Sequence, residues 1–490
     1  MLTATLVMVI VLPVLGAVCT PFLPPRGVRG TAVAVSLGAA LLAAWSVWAG
    51  WATLAAGHRA ELLTLAWLPE SAGAGLFGIL LDPLATVLLL VVTVIGFLTV
   101  LYSTSYLREG NRDHAVGPEG QARYYFWLLA FMASMAGVAT APNFLQLFFF
   151  WELTTVCSWA LISYYRSDRS LRAGFKALVM THSGGIFFLL AILILFAKTG
   201  SFEFDAPSRL NGSLRGWVYV CFMVAAWAKA AQFPLHTWLP DAMEAPSPIS
   251  AYLHAASMVK AGVFLMARAV SSGWAMPPEL GALLAVMALV TVLVALSFYF
   301  VQDDLKRLLA YSTIAHLGYV LLGVALGAMG SNVGFQGGVL HILCHGFGKA
   351  TLFMCAGAVA YTTGTRSISA LGGLARSMPL TATAFFVGVL AVTGIPPFSC
   401  FWSKFMILAG AMSIPGPLGP AILVLVLAES LVAFGWMLHV GQKVFFGART
   451  EAAVAAIDPP GAMKWTLVAL MAGSLLIPLV GIPLVHMMGG

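Results

Sequence analysis

The sequence predicts an all-α, multi-pass membrane protein of about fourteen transmembrane helices, and three observations carry that expectation. The 490 residues are 60% hydrophobic and 9% charged, against roughly 25% charged in an ordinary soluble domain. Apolar runs of about 20 residues, the length that spans a bilayer core, recur along the whole chain. Lys229, Lys260, Lys349 and Lys404 stand inside those runs, where a charged side chain costs roughly 2.5–3.5 kcal/mol.

The runs fall near residues 2–23, 31–54, 79–106, 124–141, 143–164, 173–198, 216–235, 249–270, 280–301, 305–328, 333–361, 379–411, 420–446 and 463–486. The first has no basic start and no small-residue cleavage site, so it is expected to be a retained helix, not a signal peptide. Alternate loops, near 26–29, 108–123, 166–176, 306–307, 366–376 and 443–464, hold sixteen of the lysines and arginines. Arg59, Lys198, Arg209, Arg215 and Arg268 fall on the other side. The richer side is expected to face the cytoplasm, which puts both termini outside an inner (plasma) membrane. The net charge of +7 therefore reports topology and implies no nucleic-acid partner. Asp303, Asp304, Lys306 and Arg307 are read as part of this orientation signal, and Asp82 as an interfacial residue.

Two spans are interrupted by proline: WAKAAQFPLHTWLPDAMEAPSPIS (227–250) and AVTGIPPFSCFWSKF (391–405). Proline removes a backbone donor and breaks a helix; such breaks are tolerated at membrane depth where they are buried or line a wet cavity. Paired breaks in two halves point to inverted repeats around a transport site. The expected organisation is helices 1–3 in residues 1–123, a five-helix repeat in 124–270, a second in 280–446, and helix 14 in 447–490. Each break has a lysine beside it, Lys229 and Lys404.

An intramembrane ionisable group is read as part of an ion or proton path. Glu152, deep in its span, is expected to pair with Lys229: burial disfavours the charged form of each, and a close opposite charge restores it. His254 and Lys260, six residues apart, would lie about 120° apart on a continuous helix and could not share one narrow seam. His341, His345 and Lys349 are spaced i, i+4, i+8 and share a face. The two histidines could ligate zinc, but His-Ile-Leu-Cys-His lacks the metalloprotease glutamate and no third ligand is evident, so no metal is expected. A stripe of titratable groups suits a proton relay better, since histidine titrates near working pH. His182, His316 and Glu429 are weaker candidates. The six cysteines, Cys19, Cys157, Cys221, Cys344, Cys355 and Cys400, form no CxxC pair, and no phosphate loop or nucleotide fingerprint is present. The chain is expected to hold no cofactor and no self-contained catalytic centre.

The stretches FWELTTVCSWALISYY, AKAAQFPLHTWLPDAMEAPSPISAYLHAASMVKAGVFLMAR, DDLKRLLAYSTIAHLGY, HGFGKATLFMCAGAV and GIPPFSCFWSKF resemble the antiporter-like subunits of respiratory complex I, Mrp-type sodium/proton antiporters and membrane-bound nickel–iron hydrogenases. Within that superfamily, ISYYRSDRS and THSGG are most similar to component D of hydrogenase-4. The resemblance matches Glu152 to the essential glutamate of the fifth helix, Lys229 to the central lysine of the broken seventh and His254 to the eighth-helix connector. It matches Lys349 to the eleventh-helix lysine and Lys404 to the terminal lysine of the broken twelfth. It implies proton movement, or proton against sodium, driven by other chains: further antiporter-like subunits and a peripheral hydrogenase or dehydrogenase module carrying nickel–iron, iron–sulfur, flavin or quinone groups. Two departures stand out. The chain ends at Gly490 without the lateral helix of the distal complex I subunit, and His182 with Gly184–Gly185 replaces charged residues of its sixth helix. The alternatives are an independent antiporter or inorganic-carbon uptake subunit, and a membrane anchor that moves no ion.

Overall fold

The computed structural model describes residues 2–56, 61–65, 77–454 and 456–489; Arg59 lies outside them. The long helices α1 (Leu2–Cys19) and α2 (Pro25–Ala55) pack on each other. An antiparallel hairpin follows, β1 (Glu61–Leu65) against β2 (Phe77–Leu81), with Leu63 opposite Ile79. The third span was expected to begin at residue 79, but residues 79–81 are strand. The helix α3 (Pro83–Tyr106) starts where Asp82 caps it, accepting from the Ala85 amide at 2.8 Å, and where Pro83 fixes the first turn.

Next come α4 (Gln121–Thr140), α5 (Phe144–Ile162), α6 (Asp168–Thr199), α7 (Gly212–Lys229), the single turn α8 (Trp238–Asp241), α9 (Ser247–Ala255) and α10 (Met258–Ser271). The second block holds α11 (Pro278–Ser297), α12 (Leu305–Ala328), α13 (Asn332–Thr363), α14 (Pro379–Thr393), α15 (Ser399–Ala411) and α16 (Leu418–Gly441). A turn, α17 (Glu451–Val454), precedes α18 (Gly461–His486). Among the described residues eleven segments are long and apolar enough to cross a membrane unaided. With α4, α7 and the α14–α15 pair, they occupy the fourteen expected places. The chain is a multi-pass, all-α membrane protein; the small hairpin is the one sheet among the described residues.

Starts follow side-chain caps. Asn143, Ser167, Asn211, Asp304 and Ser331 each accept from an amide in the first turn of the helix that follows. The centre is α13, buried along its length and packed on α3, α9, α12, α14, α15 and α18. Where it crosses α12, a Cβ on Gly323 would come within 2.4 Å of the Gly338 Cα. Only glycine lets the two histidine-bearing helices approach this closely.

Both expected breaks are present, and their freed backbone groups are answered locally, as burial away from water demands. At the first, Trp238 Nε1 donates to the Ala228 carbonyl (2.9 Å) and Gln232 Nε2 to that of Ala230 (2.8 Å). At the second, α14 ends on left-handed Gly394 (φ +87°), and Lys404 Nζ donates to the Thr393 carbonyl at 3.3 Å. A third break, between α9 and α10 at Ala256–Ser257, has no proline to announce it. The Ser257 hydroxyl donates back to Tyr252 O at 3.0 Å. His254 and Lys260 therefore sit on different helices, and the angle expected from one continuous helix does not apply.

Candidate functional site

The first block presents two groups side by side. Lys229, fully buried at the end of α7, donates to the Trp151 carbonyl and to Thr155 Oγ1 (2.9 Å), with its Nζ 4.4 Å from the centre of the Trp151 ring. Glu152 was expected to pair with Lys229; it pairs instead with His182, Oε2 to Nδ1 at 2.8 Å. Helix geometry is the reason. The backbone carbonyl of Trp151 and the hydroxyl one turn later take the ammonium, while the Glu152 side chain turns toward α6. Room for it comes from Gly185, where a Cβ would stand 2.2 Å from Glu152 Oε1. The pair is open to the protein's outer face, with side-chain exposures of 22% for Glu152 and 60% for His182.

A buried array of side chains joins α10 of the first block to α12, α13 and α15 of the second. Lys260 Nζ lies 2.8 Å from His345 Nδ1. The His345 ring is 4.9 Å from that of His316, whose Nδ1 is 2.9 Å from His341 Nε2. His341 Nδ1 lies 2.8 Å from Ser403 Oγ. Beside Ser403, Lys404 contacts Ser430 Oγ (2.8 Å), sits 4.6 Å from the Tyr319 ring centre and 3.9 Å from Glu429 Oε2. Tyr319 donates to that same carboxylate. All of these groups except Ser430 are buried. The face shared by His341, His345 and Lys349 is real, but each step of the array crosses between helices: α10 to α13, α13 to α12, back to α13, and α13 to α15. His316 and Glu429, the weaker candidates, belong to it. Lys349 stands one turn further on, with the Leu309 carbonyl as its acceptor at 3.4 Å.

His254, on α9 of the first block, packs against α13 of the second. Its ring lies tilted against that of Phe353, centroids 4.5 Å apart, and neither ring nitrogen has a protein partner. His316, His341 and Cys400 bring one ligand atom each within 4.8 Å of one another. Their donor types match three positions of a zinc site; the histidine nitrogens are bonded to each other and to Ser403.

Of the residues read as surface signals, Lys306 and Arg268 turn out to be buried, while Asp303 stays exposed and Asp304 half-buried. Lys306 is fully buried, donating to the carbonyls of Met243 (2.8 Å) and Ala245 (2.6 Å) beyond the first break. Asp304 caps α12, and Asp303 holds Ser367 and Ser369. Arg268, counted with the loop cations, lies inside α10 and makes a two-point ion pair with Asp82. Thr155, Ser403, Tyr319 and Ser430 were missed. Thr155 is four residues from Trp151 and Ser403 adjoins Lys404, so neighbours of the buried charges carried the available signal.

Comparison with known proteins fits this geometry. The family model described as NADH:quinone oxidoreductase/Mrp antiporter, TM, matches residues 141–430, and that of NADH-ubiquinone oxidoreductase (complex I), chain 5 N-terminus, matches 67–125. The chain is 38% identical over 354 residues to chloroplast NAD(P)H-quinone oxidoreductase subunit 5 of Chaetosphaeridium globosum, covering 68% of this chain and 51% of that protein. The subunit 5 of Populus trichocarpa is 37% identical over 359 residues, covering 69% and 45%. The chain thus spans about half the length of these relatives. The solved Mrp complex from Dietzia sp. DQ12-45-1b superposes with a TM-score of 0.84 at 29% identity, covering 99% of this chain and 51% of that one. The membrane-bound sulfane sulfur reductase, an archaeal respiratory membrane complex, gives 0.82 at 28% identity, covering 99% and 96%. A matched core that contains both breaks and every buried lysine of the site places this chain in the NADH:quinone oxidoreductase/Mrp antiporter transmembrane family.

Proposed function

We propose that this protein carries protons across a membrane as an antiporter-like subunit of a larger, redox-driven complex. The observation that supports it most is the buried chain Lys260–His345–His316–His341–Ser403, ending on Lys404, Tyr319 and Glu429. Histidine can take a proton on one ring nitrogen and release one from the other, which suits neutral pH. In a dry span such an array is costly to keep without use.

The step is electrostatic. Lys229 holds its ammonium on two oxygens beside Glu152, whose carboxylate is paired with His182. Loss of the Lys229 proton weakens its pull on Glu152 and sends a proton toward His254, whose ring nitrogens have no protein partner. His345, Lys349 and Lys404 take it onward. The Glu152–His182 pair is exposed where a neighbouring membrane subunit would reach it, so the state of one chain can bias the next. Electron transfer belongs to partner subunits of hydrogenase-4, NADH-oxidising or related type. The loops richer in lysine and arginine face the cytoplasm of a plasma membrane.

The test is Lys229→Ala in the assembled complex, with redox-driven proton uptake measured in vesicles. Loss of pumping with retained electron transfer supports the reading; intact pumping refutes it. Similarity to an Mrp complex favours one second reading, a sodium/proton antiporter without redox coupling. Mild-detergent purification separates the two: co-purifying hydrogenase or dehydrogenase subunits support redox coupling, and antiporter-like chains alone support the second reading.

A further inference from the structure

The start of α6 and the start of α12 enclose a cavity of about 340 Å³ lined by Arg169, Arg172, Lys176, Arg307, Asp241 and Glu244. Four cations face two carboxylates. Asp241 is shared, 2.7 Å from Lys176 Nζ and 3.6 Å from an Arg307 nitrogen. Arg169 and Arg172 are exposed and have no hydrogen-bond or ion-pair partner among the described residues. The cavity therefore carries an excess of positive charge at the point where α6 enters its apolar stretch. Leu171, Phe175 and Val179, exposed at i, i+4, i+8 on the same helix, run from the basic end into that stretch.

We propose that this cavity binds the phosphate head of an anionic phospholipid, with the acyl chains lying along Leu171, Phe175 and Val179. The chemistry is complementary at both ends. Guanidinium groups bind phosphate oxygens through paired N–H donors, and basic pockets between helices on the cytoplasmic side hold anionic head groups. A soluble phosphate would satisfy the cations and leave the apolar stripe unused.

The site also has a mechanical consequence. Lys176 donates to the Thr237 carbonyl (3.1 Å) as well as to Asp241, and both residues lie in the segment just past the Lys229 break. A bound phosphate competes with Asp241 for Lys176 and Arg307, so occupancy loosens the hold on that segment. Lipid binding itself stands or falls independently of proton movement.

The experiment is native mass spectrometry of the full-length protein, with the double variant Arg169→Gln/Arg172→Gln, titrated with phosphatidylglycerol, phosphatidylcholine and inorganic phosphate. The expected result is selective retention of phosphatidylglycerol, at least about tenfold weaker in the double variant. Equal retention of phosphatidylcholine, or unchanged binding in the glutamine variant, overturns the proposal. Displacement of the lipid by millimolar inorganic phosphate also overturns it, because the site would then serve a soluble anion. The two arginines are exposed and unpaired, so these substitutions leave the fold intact; a thermal melt in neutral detergent checks that.

Discussion

His341 is the link on which the buried chain depends most. It joins His316 at 2.9 Å to Ser403 at 2.8 Å, one partner on each ring nitrogen. Replacing it with phenylalanine leaves those partners separated by two hydrogen-bond lengths and a ring. That is well over twice the roughly 2.6–3.2 Å across which a positioned group hands on a proton. A positioned acid–base group is worth roughly 10²–10⁴-fold, or about 3–5 kcal/mol of barrier. His341→Phe is expected to cut redox-driven proton uptake by at least that lower factor. His341→Gln is the sharper variant, because the amide keeps two hydrogen bonds and the fold but cannot pass a proton through itself. The assay is fluorescence quenching by a pH-sensitive dye in inverted vesicles, with subunit assembly followed by native gel. If His341→Gln assembles and pumps within twofold of the unaltered protein, the chain is a structural network and the relay reasoning is wrong.

Other perturbations separate architecture from transport. The Asp82–Arg268 pair has side-chain exposures of only 16% and 4%, so Asp82→Asn alone is expected to destabilise the protein by about 3–5 kcal/mol, seen as a lower melting temperature in detergent. Thr155→Val removes one of the two oxygens on Lys229 and is expected to cost about 1.5–3 kcal/mol by the same assay. Gly185→Ala drives a methyl against the Glu152 carboxylate; it is expected to part Glu152 from His182 and reduce pumping, whereas Gly212→Ala, with open space around it, is expected to do neither. Partial burial acts to raise the Asp303 carboxyl, but hydrogen bonds from Ser367 and Ser369 outweigh it and hold the group below its ordinary 3.8. Its hold on residues 367–369 is therefore complete above about pH 4 and lost as pH falls through the lowered value. Amide exchange at Ser369 is expected to speed up over that acid range, and Asp303→Asn to abolish the pH dependence.

Much of this protein was legible without coordinates, because a bilayer imposes length and apolarity on each span. The fourteen segments, the two proline-marked breaks and the lysine at each break follow from composition and spacing. The break at Ala256–Ser257 did not: it is made by a serine hydroxyl returning to Tyr252 O, which no proline announces. The hairpin before α3 was hidden for a similar reason, since Phe77–Leu81 reads equally as the start of an apolar helix.

Partners were the larger gap. The shared face of His341, His345 and Lys349 is a matter of helical period, so the sequence determined it. Which atoms those side chains touch depends on how α10, α12 and α15 cross α13, and only the tertiary structure decided that. It brought His316 and Glu429 into the chain, buried Lys306 against the carbonyls of Met243 and Ala245, and gave Glu152 to His182 instead of Lys229. Periodicity says which residues share a face; the atoms that answer a buried charge come from whichever neighbouring helix lies within hydrogen-bond reach, and that distance is set by packing.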